Sequence, residues 1–140
     1  MKIAIATDDG KTIRKGHFGS SRYYQVIEIL NGEINGRELR TNPHVEIENT
    51  TGHHGEAGKI VALLKDCGLF IAGSMGKKCS SEISAKHIDC IITIFKTVDF
   101  AVSKYLLGEN EGFKFYDADS EEFISCSERE KKIELLKKPL

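Results

Sequence analysis

Two short segments of the chain place histidines among glycines and small polar residues. Residues 17–20 read HFGS and residues 51–55 read TGHHG, and they carry His17, His53 and His54. Such segments have too little apolar surface to pack as core, so their imidazoles are available at the surface as hydrogen-bonding groups or metal ligands. The pattern predicts that the chain holds a ligand.

The four cysteines are a second potential source of metal ligands. None of them forms a Cys-x-x-Cys pair, so the sequence supports neither a structural zinc site nor a ferredoxin-type cluster motif. Cys67 and Cys90 fall on predicted apolar faces, which favours core packing. Cys79 follows a glycine loop in the first turn of a predicted helix, where the helix dipole would favour a thiolate ligand, although packing is the favoured interpretation.

Composition limits the classes of function. The 140 residues suffice for one domain, and 20 basic and 21 acidic side chains nearly cancel, so no general field would attract nucleic acid or an anionic membrane. The first nine residues, MKIAIATDD, lack the features of a secretory peptide, and no stretch approaches the ~20 apolar residues of a membrane span. We therefore expect a cytoplasmic protein without disulfides.

Hydrophobic periodicity predicts the elements that position these residues. Strands are expected over residues 2–7, 23–30, 33–40, 69–72 and 89–95, and helices over residues 56–66, 77–86 and 98–106. The dipeptide Asn31-Gly32 predicts a tight hairpin, and Thr97 and Gly108 are typical of the two ends of a helix. The order β-β-β-α-β-α-β-α predicts an α/β mixed sheet of about five strands with helices on its faces. Residues 113–116 could add an edge strand, and residues 128–138 are expected as a solvated helix or a frayed tail.

In such a sheet the loops that follow parallel strands meet at one edge, where ligands usually bind. The loop GSMG contributes Gly73, Ser74, Met75 and Gly76, and its glycines allow backbone N–H groups to approach an anion at a helix N-terminus. Lys96 and Thr97 stand at the matching junction after the next strand, and Lys96 adds a cation. The expected pocket is polar, lined by glycine and favourable to an anion.

The motifs taken together resemble a known family. They are MKIAIATDDGK at residues 1–11, HFG at 17–19, NP at 42–43, GHHG at 52–55, IAGSMG at 71–76 and TVDFA at 97–101. This succession resembles the dinitrogenase iron-molybdenum cofactor biosynthesis family, which includes NifX-like nitrogenase accessory proteins. The resemblance covers about residues 1–108 and implies a ribonuclease-H-like fold there, with residues 109–140 as an extension packed on this domain or trailing from it. It also implies carriage of an iron–sulfur or iron–molybdenum cluster without catalytic turnover.

The resemblance implies roles for particular residues. His17 matches the HFG motif and is the first candidate for a metal ligand, with Gly19 leaving room for a bulky cluster; the alternative is that His17 braces its loop. His53 and His54 match the histidine-rich loop of the family. Because adjacent side chains in an extended chain point in opposite directions, one of the two is expected to face the site, and the alternative is a solvated loop.

Three hypotheses of different classes follow. The principal one is a non-enzymatic cluster carrier with partners in metallocluster assembly or delivery, monomeric or weakly self-associating. In it His17, His53, His54 and Cys79 are candidate metal ligands, Gly73, Ser74 and Gly76 donate backbone hydrogen bonds to cluster sulfides, Met75 covers the pocket, and Lys96 balances charge. The alternative is a metal-independent regulatory module that binds a small anion through residues 73–76 and Lys96. A nuclease using Asp8 and Asp9 is disfavoured, because the other strand ends offer no acids.

Overall fold

The computed structural model describes residues 1–45 and 57–137. These described residues form seven strands, four α-helices and a short 3-10 helix at Phe18–Ser20. The elements are β1 (Lys2–Thr7), β2 (Tyr23–Leu30), β3 (Glu33–Thr41), α1 (Ala57–Leu63), β4 (Leu69–Ala72), α2 (Lys77–Ser84), β5 (Asp89–Thr93), α3 (Val98–Leu106), β6 (Phe113–Asp117), β7 (Glu122–Ser125) and α4 (Cys126–Lys137).

One mixed sheet joins all the described strands, in the order β3-β2-β1-β4-β5-β6-β7. The strands β1, β4 and β5 are parallel, and antiparallel strands flank them on both sides. The α/β class and the hairpin beside parallel strands are confirmed. The expected count of about five strands is wrong, because β6 pairs with β5 and β7 then pairs with β6. Residues 113–117 are therefore internal to the sheet rather than its edge.

The first hairpin forms as the local sequence predicts. Leu30 pairs with Glu33, which leaves Asn31 and Gly32 as a two-residue turn with φ of 53° and 78°. Positive φ at both positions is what the favoured hairpin turn requires, and asparagine and glycine tolerate it best. The turn, together with a register shift between Glu28 and Ile29, brings Asn42 back beside residues 19–22, where Asn42 N–H donates to the carbonyl of Arg22.

Two apolar clusters occupy the two faces of the sheet. The alternation of β1 places Ala4 and Ala6 in one cluster and Ile3 and Ile5 in the other. The first cluster contains buried residues of α1 and α2, and the second contains those of α3. Helices therefore cover both faces, as expected, and the edge between them is left for loops.

Several element ends differ from the predictions. The helices expected over residues 56–66 and 77–86 end at Leu63 and Ser84, and β5 ends at Thr93 rather than Phe95. Beyond Thr93 the chain turns: its hydroxyl accepts a hydrogen bond from Phe95 N–H, and Ile94 is 82% exposed. Residues 128–138 were expected as a solvated helix or a frayed tail, and the described residues among them belong to the helix α4. No helix in the described part of the chain is long and apolar enough to cross a membrane.

Candidate functional site

Three segments meet at the carboxyl edge of β1, β4 and β5, as the topology predicts. The loop after β1, residues 8–17 and here called the first loop, lies across the ends of the other two strands. Thr12 forms a β-bridge with Thr97 after β5, and His17 forms one with Ser74 after β4. The N–H of Ile13 also donates to the carbonyl of Lys96, at 2.8 Å. The edge is therefore a continuous surface built from all three loops.

The two aspartates at the end of β1 hold the first loop in shape. Asp9 accepts hydrogen bonds from the backbone N–H groups of Lys11 (2.8 Å) and Thr12 (2.7 Å) and from the Thr12 hydroxyl, and these bonds lower the Asp9 pKa to about 2. Asp8 accepts from Arg22 N–H and pairs with Arg14 at 2.7 Å. Both carboxylates therefore hold the conformation of the first loop.

His17 is held at this edge by its neighbour in sequence. Phe18 is fully buried, its ring lies 5.0 Å from that of Phe70, and its carbonyl accepts a 2.6 Å hydrogen bond from the Tyr24 hydroxyl. The carbonyl of His17 accepts from Arg14 Nε at 3.1 Å, while the His17 side chain is exposed. The phenylalanine of the HFG motif thus anchors the turn that presents the imidazole.

Gly19 and Asn42 form the support beneath this turn. Gly19 is buried, and its carbonyl accepts a hydrogen bond from Asn42 Nδ2 at 3.1 Å. The same amide nitrogen donates to Ser21, and Asn42 Oδ1 accepts from His44 N–H. Asn42 is 5% exposed. Our sequence prediction omitted Asn42 from the site, although its place in the NP motif was an available signal.

The GSMG loop packs against the first loop, contacts the core and leads into α2. A Cβ on Gly73 would lie 2.5 Å from the carbonyl oxygen of Arg14, so glycine is needed there for the first loop to pack. The Ser74 hydroxyl donates to Lys15, and Met75 packs against the first core cluster. Gly76 is the residue before α2 and supplies no side-chain cap, so the first turn of that helix can offer its backbone N–H groups to an anion.

His17 lies at this helix terminus. A methyl group built on Gly76 would be 3.8 Å from His17 Nδ1, so the imidazole and the first turn of α2 share one surface. Cys79 is in that turn, half-buried, and packs on the first core cluster. His53 and His54 lie outside the described residues.

The remaining predicted residues have clear positions. Lys96 is exposed, and Thr97 caps α3 by accepting a hydrogen bond from Phe100 N–H at 3.2 Å. Cys67 and Cys90 are buried, and burial raises the pKa of each thiol to about 12. Core packing, the favoured interpretation of these two cysteines, agrees with this burial. In the described part of the chain, no three side chains of His, Cys, Asp or Glu converge as a metal site.

Positive charge is concentrated around the three loops. Five exposed lysines carry it, here called the lysine rim: Lys11, Lys15, Lys77, Lys78 and Lys96. None of them is in an ion pair with another described residue. The chain as a whole carries a net charge of −1, so the rim is a local feature that average composition hides. Only Lys96 was singled out from sequence, because the other four become neighbours through the topology.

Comparison with known proteins gives a family match and structural likenesses. The family model for the dinitrogenase iron-molybdenum cofactor matches residues 1–108. An uncharacterised protein of Methanocaldococcus jannaschii is 30% identical over 118 residues, which cover 81% of this chain and 92% of the relative. A solved structure provisionally described as a dinitrogenase, also from M. jannaschii, has a TM-score of 0.60 at 20% identity and covers 82% of this chain and 93% of that one. A provisionally described NifB protein from Thermotoga has a TM-score of 0.56 at 16% identity, over 76% of this chain and 88% of its own. The two solved structures share the fold.

Proposed function

Because this chain belongs to the dinitrogenase iron-molybdenum cofactor family, we propose that it binds an iron–sulfur or iron–molybdenum type cluster and carries it during metallocluster assembly or delivery. In this proposal the protein is not an enzyme, and its partners are the proteins that donate and accept the cluster. The cluster is its cargo.

The observation that carries the proposal is the placement of His17 at the N-terminus of α2 inside the lysine rim. Imidazole is a suitable ligand for iron, and backbone N–H groups at a helix terminus stabilise negative charge. Metal clusters with several sulfides and thiolate ligands carry negative charge, so nearby lysines favour their approach. A histidine, helix amides and cations on one surface are together matched to an anionic metal cluster.

An open arrangement also suits transfer. The described residues bring no three metal-ligating side chains together, so the cluster would be held by His17, by amides of residues 73–76 and by charge. In the proposal Cys79 and the pair His53 and His54 are the further candidate ligands. A cluster held by few protein bonds can pass to an acceptor, because fewer ligands have to be exchanged.

Anaerobic reconstitution tests the proposal. The protein is incubated with iron, sulfide and molybdate, and metal content, acid-labile sulfide and the visible spectrum are measured for wild type and His17→Ala. His87→Asn is the matched control, because His87 is exposed, lies before β5 at the other end of the sheet and has φ of 63°, which asparagine tolerates. We expect stoichiometric metal in wild type and in the control, and loss in His17→Ala.

The other outcomes discriminate between hypotheses. Metal retained by His17→Ala would move the principal ligand to Cys79 or to His53 and His54, which Cys79→Ser and the double histidine-to-alanine variant would separate. No metal in wild type would overturn the carrier proposal.

A second candidate function is a metal-independent module that binds a small anion. The lysine rim favours it, because five lysines outside ion pairs among the described residues attract phosphate or carboxylate without any metal. Calorimetric titration with phosphate tests this function. We expect binding that weakens when Lys77 and Lys78 are both changed to glutamine, while Lys131→Gln on α4 leaves it unchanged.

A further inference from the structure

A polar cavity lies at the opposite end of the sheet from the lysine rim. The ladder between β5 and β6 pairs Ile91 with Phe115 and continues only toward Thr93, so the two strands are unpaired at residues 89–90 and 116–117. A cavity of about 90 Å³ occupies this divergence. Its polar and charged lining residues are Ser84, Asp89, Tyr105, Tyr116 and Arg129, and of these Asp89 and Arg129 are exposed.

Opposite charges line this cavity without neutralising each other. Asp89 and Arg129 form no ion pair with one another or with any other described residue. The guanidinium carbon of Arg129 is 4.7 Å from the centroid of the Phe115 ring, which orients the guanidinium by stacking. Burial raises the pKa of Tyr105, and the Asp89 carboxylate adds to that rise while Arg129 opposes it. Both charges therefore act on the same hydroxyl.

The charges and the volume define the ligand. A simple anion would be attracted by Arg129 but repelled by Asp89. A simple cation would be attracted by Asp89 but repelled by Arg129, whereas a molecule with both charges can pair with each side chain. A cavity of about 90 Å³ admits only a small molecule. The ligand is accordingly a molecule of few heavy atoms.

We infer that the cavity between β5 and β6 is a binding site for a small zwitterion of the amino acid class, with its carboxylate on Arg129 and its ammonium on Asp89. The hydroxyls of Ser84 and Tyr116 supply further hydrogen bonds. Asp89 belongs to the part of the chain that the family model matches, and Arg129 lies beyond residue 108, so the site needs both parts. It is separate from the proposed cluster site.

Isothermal titration calorimetry on the full chain tests the inference with glycine and L-alanine as probes. We expect binding by wild type and a loss of at least about tenfold in affinity for both Asp89→Asn and Arg129→Gln, because each removes a charged hydrogen-bond partner. Lys131→Gln is the matched control, since Lys131 is exposed on the same helix and does not line the cavity. Its affinity should equal that of wild type. Circular dichroism and urea denaturation establish that the two cavity variants fold.

Probes with one charge or with a larger side chain complete the design. Acetate and methylammonium should each bind at least about tenfold more weakly than glycine, and L-leucine should not bind. Absence of any heat with millimolar glycine would overturn the inference. Equal affinity for acetate and glycine, for leucine and glycine, or for wild type and Arg129→Gln would overturn it as well. We expect Asp89→Asn to leave cluster reconstitution unchanged whether or not the cavity binds glycine. Failure of this inference is therefore distinct from failure of the carrier proposal.

Discussion

Gly73 lies so close to Arg14 that a Cβ on residue 73 would be 2.5 Å from the carbonyl oxygen of Arg14. This contact presses the first loop against the end of β4. The neighbouring hydrogen bond from the Ser74 hydroxyl to the carbonyl of Lys15, at 3.0 Å, fixes the loop a second time. Because His17 follows Lys15 by two residues, its position at the helix terminus depends on this close approach.

The contact predicts that Gly73→Ala is destabilising. A methyl group at residue 73 must displace backbone, which costs about 1–3 kcal/mol in the free energy of unfolding. Gly58→Ala is the control, since no described atom lies within 4 Å of a Cβ there and alanine in a helix gains about 0.5–1 kcal/mol. Urea denaturation measures both. Equal stabilities of Gly73→Ala and wild type would refute the packing role of Gly73.

Asp9 predicts an acid-dependent loss of stability. Hydrogen bonds from Thr12 and Lys11 lower its pKa from 3.8 to about 2, so its stabilising effect is complete above 3.8 and is lost as the pH falls toward 2. The stability difference between wild type and Asp9→Ala should therefore be constant near neutral pH and shrink below pH 3.8. Asp9→Asn keeps one acceptor oxygen and should lose less at neutral pH. Urea denaturation at several pH values checks this, and a stability difference that does not change with pH would contradict it.

The two arginines of β3, Arg40 and Arg37, are expected to contribute differently to the free energy of unfolding. The Arg40 guanidinium bonds both Asp66 oxygens, at 2.8 and 3.0 Å, and the carbonyl of Leu63, and this pairing holds the Asp66 pKa below its usual range. Lysine cannot reproduce a two-point contact, so Arg40→Lys should cost about 1 kcal/mol, a modest value because Asp66 is partly exposed to screening solvent.

Arg37→Lys provides the comparison for that measurement. Arg37 has a single 2.6 Å contact to Asp99, whose side chain is 78% exposed. Its replacement should cost less than about 0.5 kcal/mol. Denaturation midpoints of the two variants, measured in the same buffer, decide the contrast. Equal losses would show that the two-point geometry of Arg40 contributes nothing.

The buried thiols predict slow chemical modification. Burial raises the pKa values of Cys67 and Cys90 to about 12, so near pH 8 almost no thiolate is present. Iodoacetamide should leave both unmodified in the folded protein and label both in urea, with peptide mass spectrometry as the measurement. Cys126, which is half-buried at the start of α4, is the internal comparison and should label before Cys67 and Cys90. Early labelling of Cys90 in the folded chain would contradict its place in the core.

Local features of the fold were predictable because they depend on neighbouring residues. Asn31-Gly32 specifies its turn through the backbone preferences of two residues, and Thr97 specifies the start of α3 through one hydrogen bond to Phe100 N–H. The alternation in β1 likewise determined which of its side chains face each cluster. These features need no information from distant parts of the chain.

The errors occur where distant contacts decide the structure. Ile94 continues an apolar run and was assigned to β5, yet the strand ends at Thr93 because the Thr93 hydroxyl bonds Phe95 N–H and the carbonyl of Gly112. The strand β7 has the sequence EFIS, which lacks the continuous apolar run of the equally short β4, and it pairs with the edge that β6 offers. The roles of Asn42 and Gly73 also depend on segments far along the chain.

The sequence by itself determined the α/β class, the order of the described strands and α-helices up to residue 106, the three loops of the carboxyl edge and the family resemblance that the comparisons confirm. Those properties follow from periodicity, turn chemistry and motif order. Only the tertiary structure decided that five separate lysines form one rim, that Gly73 accommodates Arg14 and that Asp89 and Arg129 face the same cavity. Charge and steric contact act through space, so these relationships exist only once the sheet has brought the residues together.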